Sequence, residues 1–220
     1  MRTTILMASL AGAAIIAALL PYAHVWGVHF YEQGLTETAS ALFLAAAALV
    51  LAIFYRPSRA IWHIVVLVAL LANREADERQ LSGLPVLAKV TAYVDDVLLE
   101  NTVIVIALLL FLLAGFLRYT WPLMRDRAFW RSDILAILAT GTAFAAGGQI
   151  ADVIGAQGNG TISAVRYAKL HLIEEISELW FAVAVFCASV LAVLRRRRPN
   201  AEEDNAGDHS RNKTANPGTA

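Results

Sequence analysis

The chain has 220 residues, 58% of them hydrophobic, and a mean hydropathy of +0.58, which is too apolar for an ordinary soluble surface. Eighteen basic and eighteen acidic residues cancel to a formal net charge of zero, which excludes a global field drawing in nucleic acid or an acidic substrate. The single cysteine, Cys187, excludes an intramolecular disulfide and is expected to pack among small neighbours in its apolar run.

A bilayer core of about 30 Å requires about 20 mostly apolar helical residues. Six stretches meet or approach that length: 4–22, 37–55, 60–79 (an apolar run with a charged extension), 101–117, 133–149 and 172–194. None alternates apolar and polar residues as a membrane barrel strand would, so the expected fold is all-α, a polytopic membrane helix bundle of about six spans over residues 1–198. The first stretch is read as an uncleaved signal anchor, because Pro21-Tyr22-Ala23 offers no small-x-small cleavage site. Span five carries Gly141, Thr142, Ala143, Ala145, Ala146, Gly147 and Gly148, small residues that let a neighbouring backbone approach closely. Beyond Arg195 to Arg198 the composition turns to Pro, Asn, Asp, Glu and Gly, and residues 199–220 are expected to form a disordered tail.

Orientation follows from Lys and Arg, which stay on the cytoplasmic side during insertion. With both termini cytoplasmic, thirteen of the eighteen basic residues fall inside, among them Arg56, Arg59, Arg118, Arg125, Arg127, Arg131 and Arg195 to Arg198. Trp26, Trp121, Trp130 and Trp180 fit interface anchoring, and His63 fits packing beside Trp62.

Charged residues can then be placed by depth. Glu178 lies 17 residues before Arg195, about 25 Å along a helix, within the outer leaflet. Arg74 and Glu75 lie about 22 to 24 Å beyond Arg59 by the same ruler, with Asp77 just after them. Glu100, Gln149 and Asp152 reach a similar level, as does Glu37. Along the last span His171, Glu174, Glu175 and Glu178 fall at i, i+3, i+4 and i+7 and share one face, with Leu172, Ile173, Ile176 and Leu179 opposite. Lys89, Tyr93, Asp96 and Glu100 form a similar stripe, which predicts that the fourth span starts as an outside helix after Pro85 and continues into the membrane. The loop carrying His24, His29 and Glu32 is expected to cap this layer.

Charges at such depth must pair, bind an ion or line water, and are functional candidates. Arg74, Glu75, Asp77, Asp96, Glu100, Asp152, Glu174, Glu175 and Glu178 are therefore expected to form an outward-facing polar cluster suited to ion- or proton-coupled transport of a small solute. Two alternatives stand beside that reading. His171, Glu174, Glu175 and Glu178 are a candidate ligand set for a divalent metal that could activate water against a lipid, with Glu178 as catalytic acid or base. Alternatively, Arg74, Glu75, Asp77, Glu78, Arg79 and the stripe from His171 to Glu178 could form a salt-bridge network closing the outer end of the bundle of a non-catalytic assembly protein. The partners expected are the lipid bilayer and a second copy of the chain, with no nucleic acid.

Three segments carry a resemblance: Glu32-Gln33-Gly34-Leu35-Thr36-Glu37, Asn73-Arg74-Glu75-Ala76-Asp77 and Glu174-Glu175-Ile176-Ser177-Glu178-Leu179. Together they resemble uncharacterised bacterial multi-pass inner-membrane proteins over the second, third and last spans. That resemblance implies a bacterial inner membrane and no particular activity. A likeness to membrane ceramidase-like hydrolases is weaker, since their last helix carries paired histidines and this one has only His171.

Overall fold

We describe a computed structural model of the chain, covering residues 12–14, 17–19, 21, 35–55, 59–76, 85–130, 132–157 and 163–214, with side chains of the final helix to Arg196. In chain order the elements are α1 (Leu35–Phe54), a 3₁₀ turn (Arg59–Ile61), α2 (Trp62–Glu75), α3 (Pro85–Tyr93) and a π-helical segment (Val94–Leu99). They continue as α4 (Thr102–Gly115), a second π-helical turn (Phe116–Thr120), α5 (Trp121–Met124), α6 (Arg127–Trp130), α7 (Asp133–Gln157) and α8 (Ala164–Thr214). No strand occurs among the described residues.

Four helical stretches are long and apolar enough to cross a membrane: Thr36–Phe54, Thr102–Met124, Asp133–Gln157 and Ala164–Arg196. They coincide with the second, fourth, fifth and sixth expected spans. The third is shorter than expected, since the 14 residues of α2 reach only about 21 Å. Most of the first span, and residues 77–79 of the third, lie outside the described residues. The need for a non-aqueous surround is plainest at α4, which is apolar on every face yet contributes no buried residue.

Contacts at the helix ends fix the relative directions of the helices. Thr36 meets Glu175 at one end of α1 and α8, and Tyr55 meets Arg196 at the other, so these two helices run parallel. Asp133 pairs with Arg195, and Gly141 and Gly148 lie against Ala184 and Ser177, so α7 runs antiparallel to α8. The core sits where α1, α2 and α8 meet, built from Leu44, Ala47, Leu51, Val65, Val68, Ala182 and Val185, with Phe43 and Phe186 in ring contact at 5.7 Å. One end of the bundle thus collects Arg118, Arg195 and Arg196, and the other collects Glu37, Glu75 and Glu174.

Close approach of α7 to α8 depends on glycine. A methyl group at Gly148 would come within 2.9 Å of the Ser177 Cβ and 3.3 Å of the Glu174 carbonyl oxygen, and one at Gly141 within 2.6 Å of the Ala184 Cβ. At Gly147, one residue away, a methyl would meet nothing within 4 Å. Gly148→Ala is therefore expected to lower stability by about 1–3 kcal/mol through overpacking. Gly147→Ala should instead leave stability unchanged or raise it by up to about 1 kcal/mol, since it removes backbone entropy from a helix interior. Thermal unfolding of both variants in detergent checks the pair, and equal behaviour would refute the glycine seam.

Several expectations are corrected. The fourth span is not continuous with the helix after Pro85: Asn101, in an extended conformation (φ −80°, ψ 104°), accepts hydrogen bonds from the Val103 and Ile104 amides and starts α4 afresh. Leu172, expected on the outer face of the last span, is buried, because α8 is covered by α7 on one side and α1 on another. Trp180 packs on Gly12 and on Phe144, at 5.6 Å between ring centroids, rather than standing only at the interface. Cys187 is exposed rather than packed. The backbone of α8 runs on as helix past Pro199 to Thr214, into the stretch whose composition pointed to a tail.

Candidate functional site

Three helices bring their charged ends together at the acidic end of the bundle. Glu37 comes from the first turn of α1, where a carboxylate also suits the helix dipole. Arg74 and Glu75 come from the last turn of α2, and His171, Glu174, Glu175 and Glu178 from one face of α8. These seven side chains line a pocket of about 350 Å³.

Within it the groups are held from several directions. The Thr36 hydroxyl, one residue before Glu37, donates to the Glu175 carboxylate, and both residues are buried. The Gln149 side-chain amide on α7 donates to Glu178 Oε1 at 3.2 Å, so the fourth helix of the site acts through its amide. His171 lies between two carboxylates, with Nδ1 3.4 Å from Glu174 Oε2 and Nε2 3.5 Å from Glu175 Oε1, and its ring stacks on Tyr167 at 6.4 Å. One turn deeper than Thr36 on α1, Ser40 is buried with its hydroxyl lacking a hydrogen-bond partner among the described residues.

Of the residues singled out in sequence, Arg74, Glu75, His171, Glu174, Glu175 and Glu178 line the one pocket. Asp96, Glu100 and Asp152 do not; they are exposed, the first two because the break at Asn101 separates their segment from α4. Asp77 and the loop with His24, His29 and Glu32 lie outside the described residues. Thr36 and Tyr167 were missed. The Thr36–Ser40 spacing of four residues, ahead of an apolar run, was the available signal that α1 turns a hydroxyl face toward another helix.

The arrangement bears on both alternatives. Among the described residues no three His, Cys, Asp or Glu side chains converge so as to hold a metal ion. The two His171 nitrogens point to different carboxylates, so the i, i+3, i+4 spacing spreads the donors around the ring instead of gathering them. A salt-bridge network would need arginine. Among the described residues no carboxylate lies within ion-pair distance of Arg74, and His171 contacts Glu174 and Glu175; Glu37 and His171 have further interactions besides. Arg79 lies outside the described residues.

Comparison with known proteins finds no matching family model, no similar curated protein and no similar solved structure.

Proposed function

We propose that this chain is a multi-pass protein of a bacterial inner membrane that moves a small solute coupled to protons or to a cation, through the pocket shared by α1, α2 and α8. One observation carries this reading: five glutamates from three helices face one arginine and one histidine in a single cleft. Among the described residues the carboxylates of this cleft outnumber its basic groups, which beside apolar spans favours uptake of protons or a cation there, and releasing or taking up that charge is what coupling requires. The small residues of α7 beside the pocket supply a surface along which helices can shift.

In this proposal the spans number about six, with the residues before α1 and the short α2 included, and the arginine-bearing end faces the cytoplasm with both termini. The pocket then opens on the opposite side. A lipid hydrolase is less well supported, because among the described residues no three His, Cys, Asp or Glu side chains gather as the ligands of a catalytic transition metal would.

Charge movement tests the reading directly. Full-length protein in liposomes on a solid-supported electrode is exposed to a pH jump, then to sodium, potassium and magnesium jumps. A transient, saturable current in response to at least one of them is expected. Absence of charge displacement under all four, from protein shown to be folded, would refute the proposal.

A further inference from the structure

A second cleft lies at the opposite, arginine-bearing end. It is a groove of about 520 Å³ between α2 and α4, within the range of about 300–1,000 Å³ common for small-molecule sites. On α4 and its π-helical continuation, Phe111, Ala114, Gly115 and Arg118 fall at i, i+3, i+4 and i+7 and present one face to it. From Phe111 to Arg118 this face runs about 10 Å along the helix. The groove is therefore apolar along its length and cationic at one end.

Its floor is sealed by protein. A methyl group at Gly115 would overlap the Cβ and Cγ of His63, so the absent side chain is what lets α2 and α4 touch there. The buried His63 ring is fixed by Thr120, whose hydroxyl lies 2.9 Å from Nε2, and by stacking on Tyr119 at 6.2 Å. The π-helical turn Phe116–Thr120 brings both of these neighbours onto His63. His63 is thus part of the wall, not an interface residue packed beside Trp62. The open side looks outward along α4, whose other faces are apolar and exposed.

Arg118 stands exposed at the end of the groove, its guanidinium 5.7 Å from the Tyr119 ring centroid, and among the described residues no carboxylate pairs with it. Trp121 and Trp130 are exposed just beyond, with Arg125 5.7 Å from the Trp121 ring centroid, a grouping of aromatic and basic residues that marks the headgroup level of a bilayer. An unpaired guanidinium at that level recognises phosphate oxygens, and an apolar channel leading from it toward the bilayer centre suits an acyl chain.

We propose that this groove holds one anionic phospholipid, its phosphate on Arg118 and an acyl chain laid along Val66, Ala114 and Phe111. The inference rests on the bilayer reading of the four apolar helices and is independent of transport at the acidic pocket.

The test is native mass spectrometry of the full chain in detergent, titrated separately with phosphatidylglycerol, phosphatidylcholine of the same acyl chains, and oleate. One phosphatidylglycerol should bind at least about tenfold more tightly than phosphatidylcholine or oleate. Arg118→Gln should bring phosphatidylglycerol down to the phosphatidylcholine level, Ala114→Trp should weaken both phospholipids by filling the groove, and Arg127→Gln, outside it, should change neither. Thermal unfolding reports whether each variant folds; Arg118→Gln, an exposed position, decides the matter if Ala114→Trp does not. Equal affinity for the two phospholipids, a preference for oleate, or phosphatidylglycerol binding unaffected by Arg118→Gln would overturn the proposal. A chain that stays monodisperse without detergent would overturn the bilayer reading itself, a separate result.

Discussion

Replacing Glu178 by glutamine is expected to abolish the charge displacement produced by the acidic pocket while leaving the fold intact. Glu178 lines the cleft with Glu37, Glu75, Glu174 and Glu175, and receives a hydrogen bond from the Gln149 amide at 3.2 Å. A glutamine side chain keeps the volume and an oxygen able to accept that bond, and it removes only the group that binds a proton or pairs with a cation. The transient current on a pH or cation jump should fall at least about tenfold, the factor that about 1.4 kcal/mol of binding supplies. Asp96→Asn and Glu100→Gln provide the control. Both residues are exposed away from the pocket, so their variants should carry current as the unaltered chain does. Full current in Glu178→Gln, or equal losses in all three variants, would remove this pocket from the mechanism.

The second large effect is on stability, at the contact between Thr36 and Glu175. Both are buried, on helices that run side by side, and the Thr36 hydroxyl is the donor that Glu175 meets from α1. Thr36→Val preserves shape and deletes the donor, leaving a buried carboxyl oxygen unsatisfied, and should cost about 2 kcal/mol. Glu175→Leu alone should also destabilise, because it strands the hydroxyl and changes the packing around it. With both changes made, an apolar pair replaces a polar one, and the double variant should lose clearly less than the two single losses added together. Unfolding in detergent followed by tryptophan fluorescence gives the three values; additive losses would show that the two side chains do not act as a unit. The two experiments separate roles within one cluster: Glu175 is expected to tie α1 to α8, and Glu178 is proposed to carry the exchangeable charge.

Much of the frame is written in local sequence. Length and unbroken apolarity mark 37–55, 101–117, 133–149 and 172–194, and helices occupy all four of these stretches, because a helix satisfies its own backbone wherever the surround cannot. The i, i+3, i+4, i+7 spacing of His171, Glu174, Glu175 and Glu178 was enough to place them on one face, since helical periodicity is a property of a single segment. Depth measured from Arg59 likewise led Arg74 and Glu75 to the level of those glutamates. The stripe of Lys89, Tyr93, Asp96 and Glu100 does not line the acidic pocket. Its reading assumed one straight helix, and the cap at Asn101 breaks that helix.

What the sequence determined by itself is therefore what depends on neighbours along the chain: helical segments, apolar length, and which side chains share a face. Tertiary structure decided what depends on neighbours across space. It chose which carboxylates meet in one pocket, set Thr36 against Glu175 and Gln149 against Glu178, and pressed Gly115 onto His63 to leave a groove ending in Arg118. Those contacts arise from the packing angle and register of separate helices, which small residues such as Gly148 permit but which no single helix encodes.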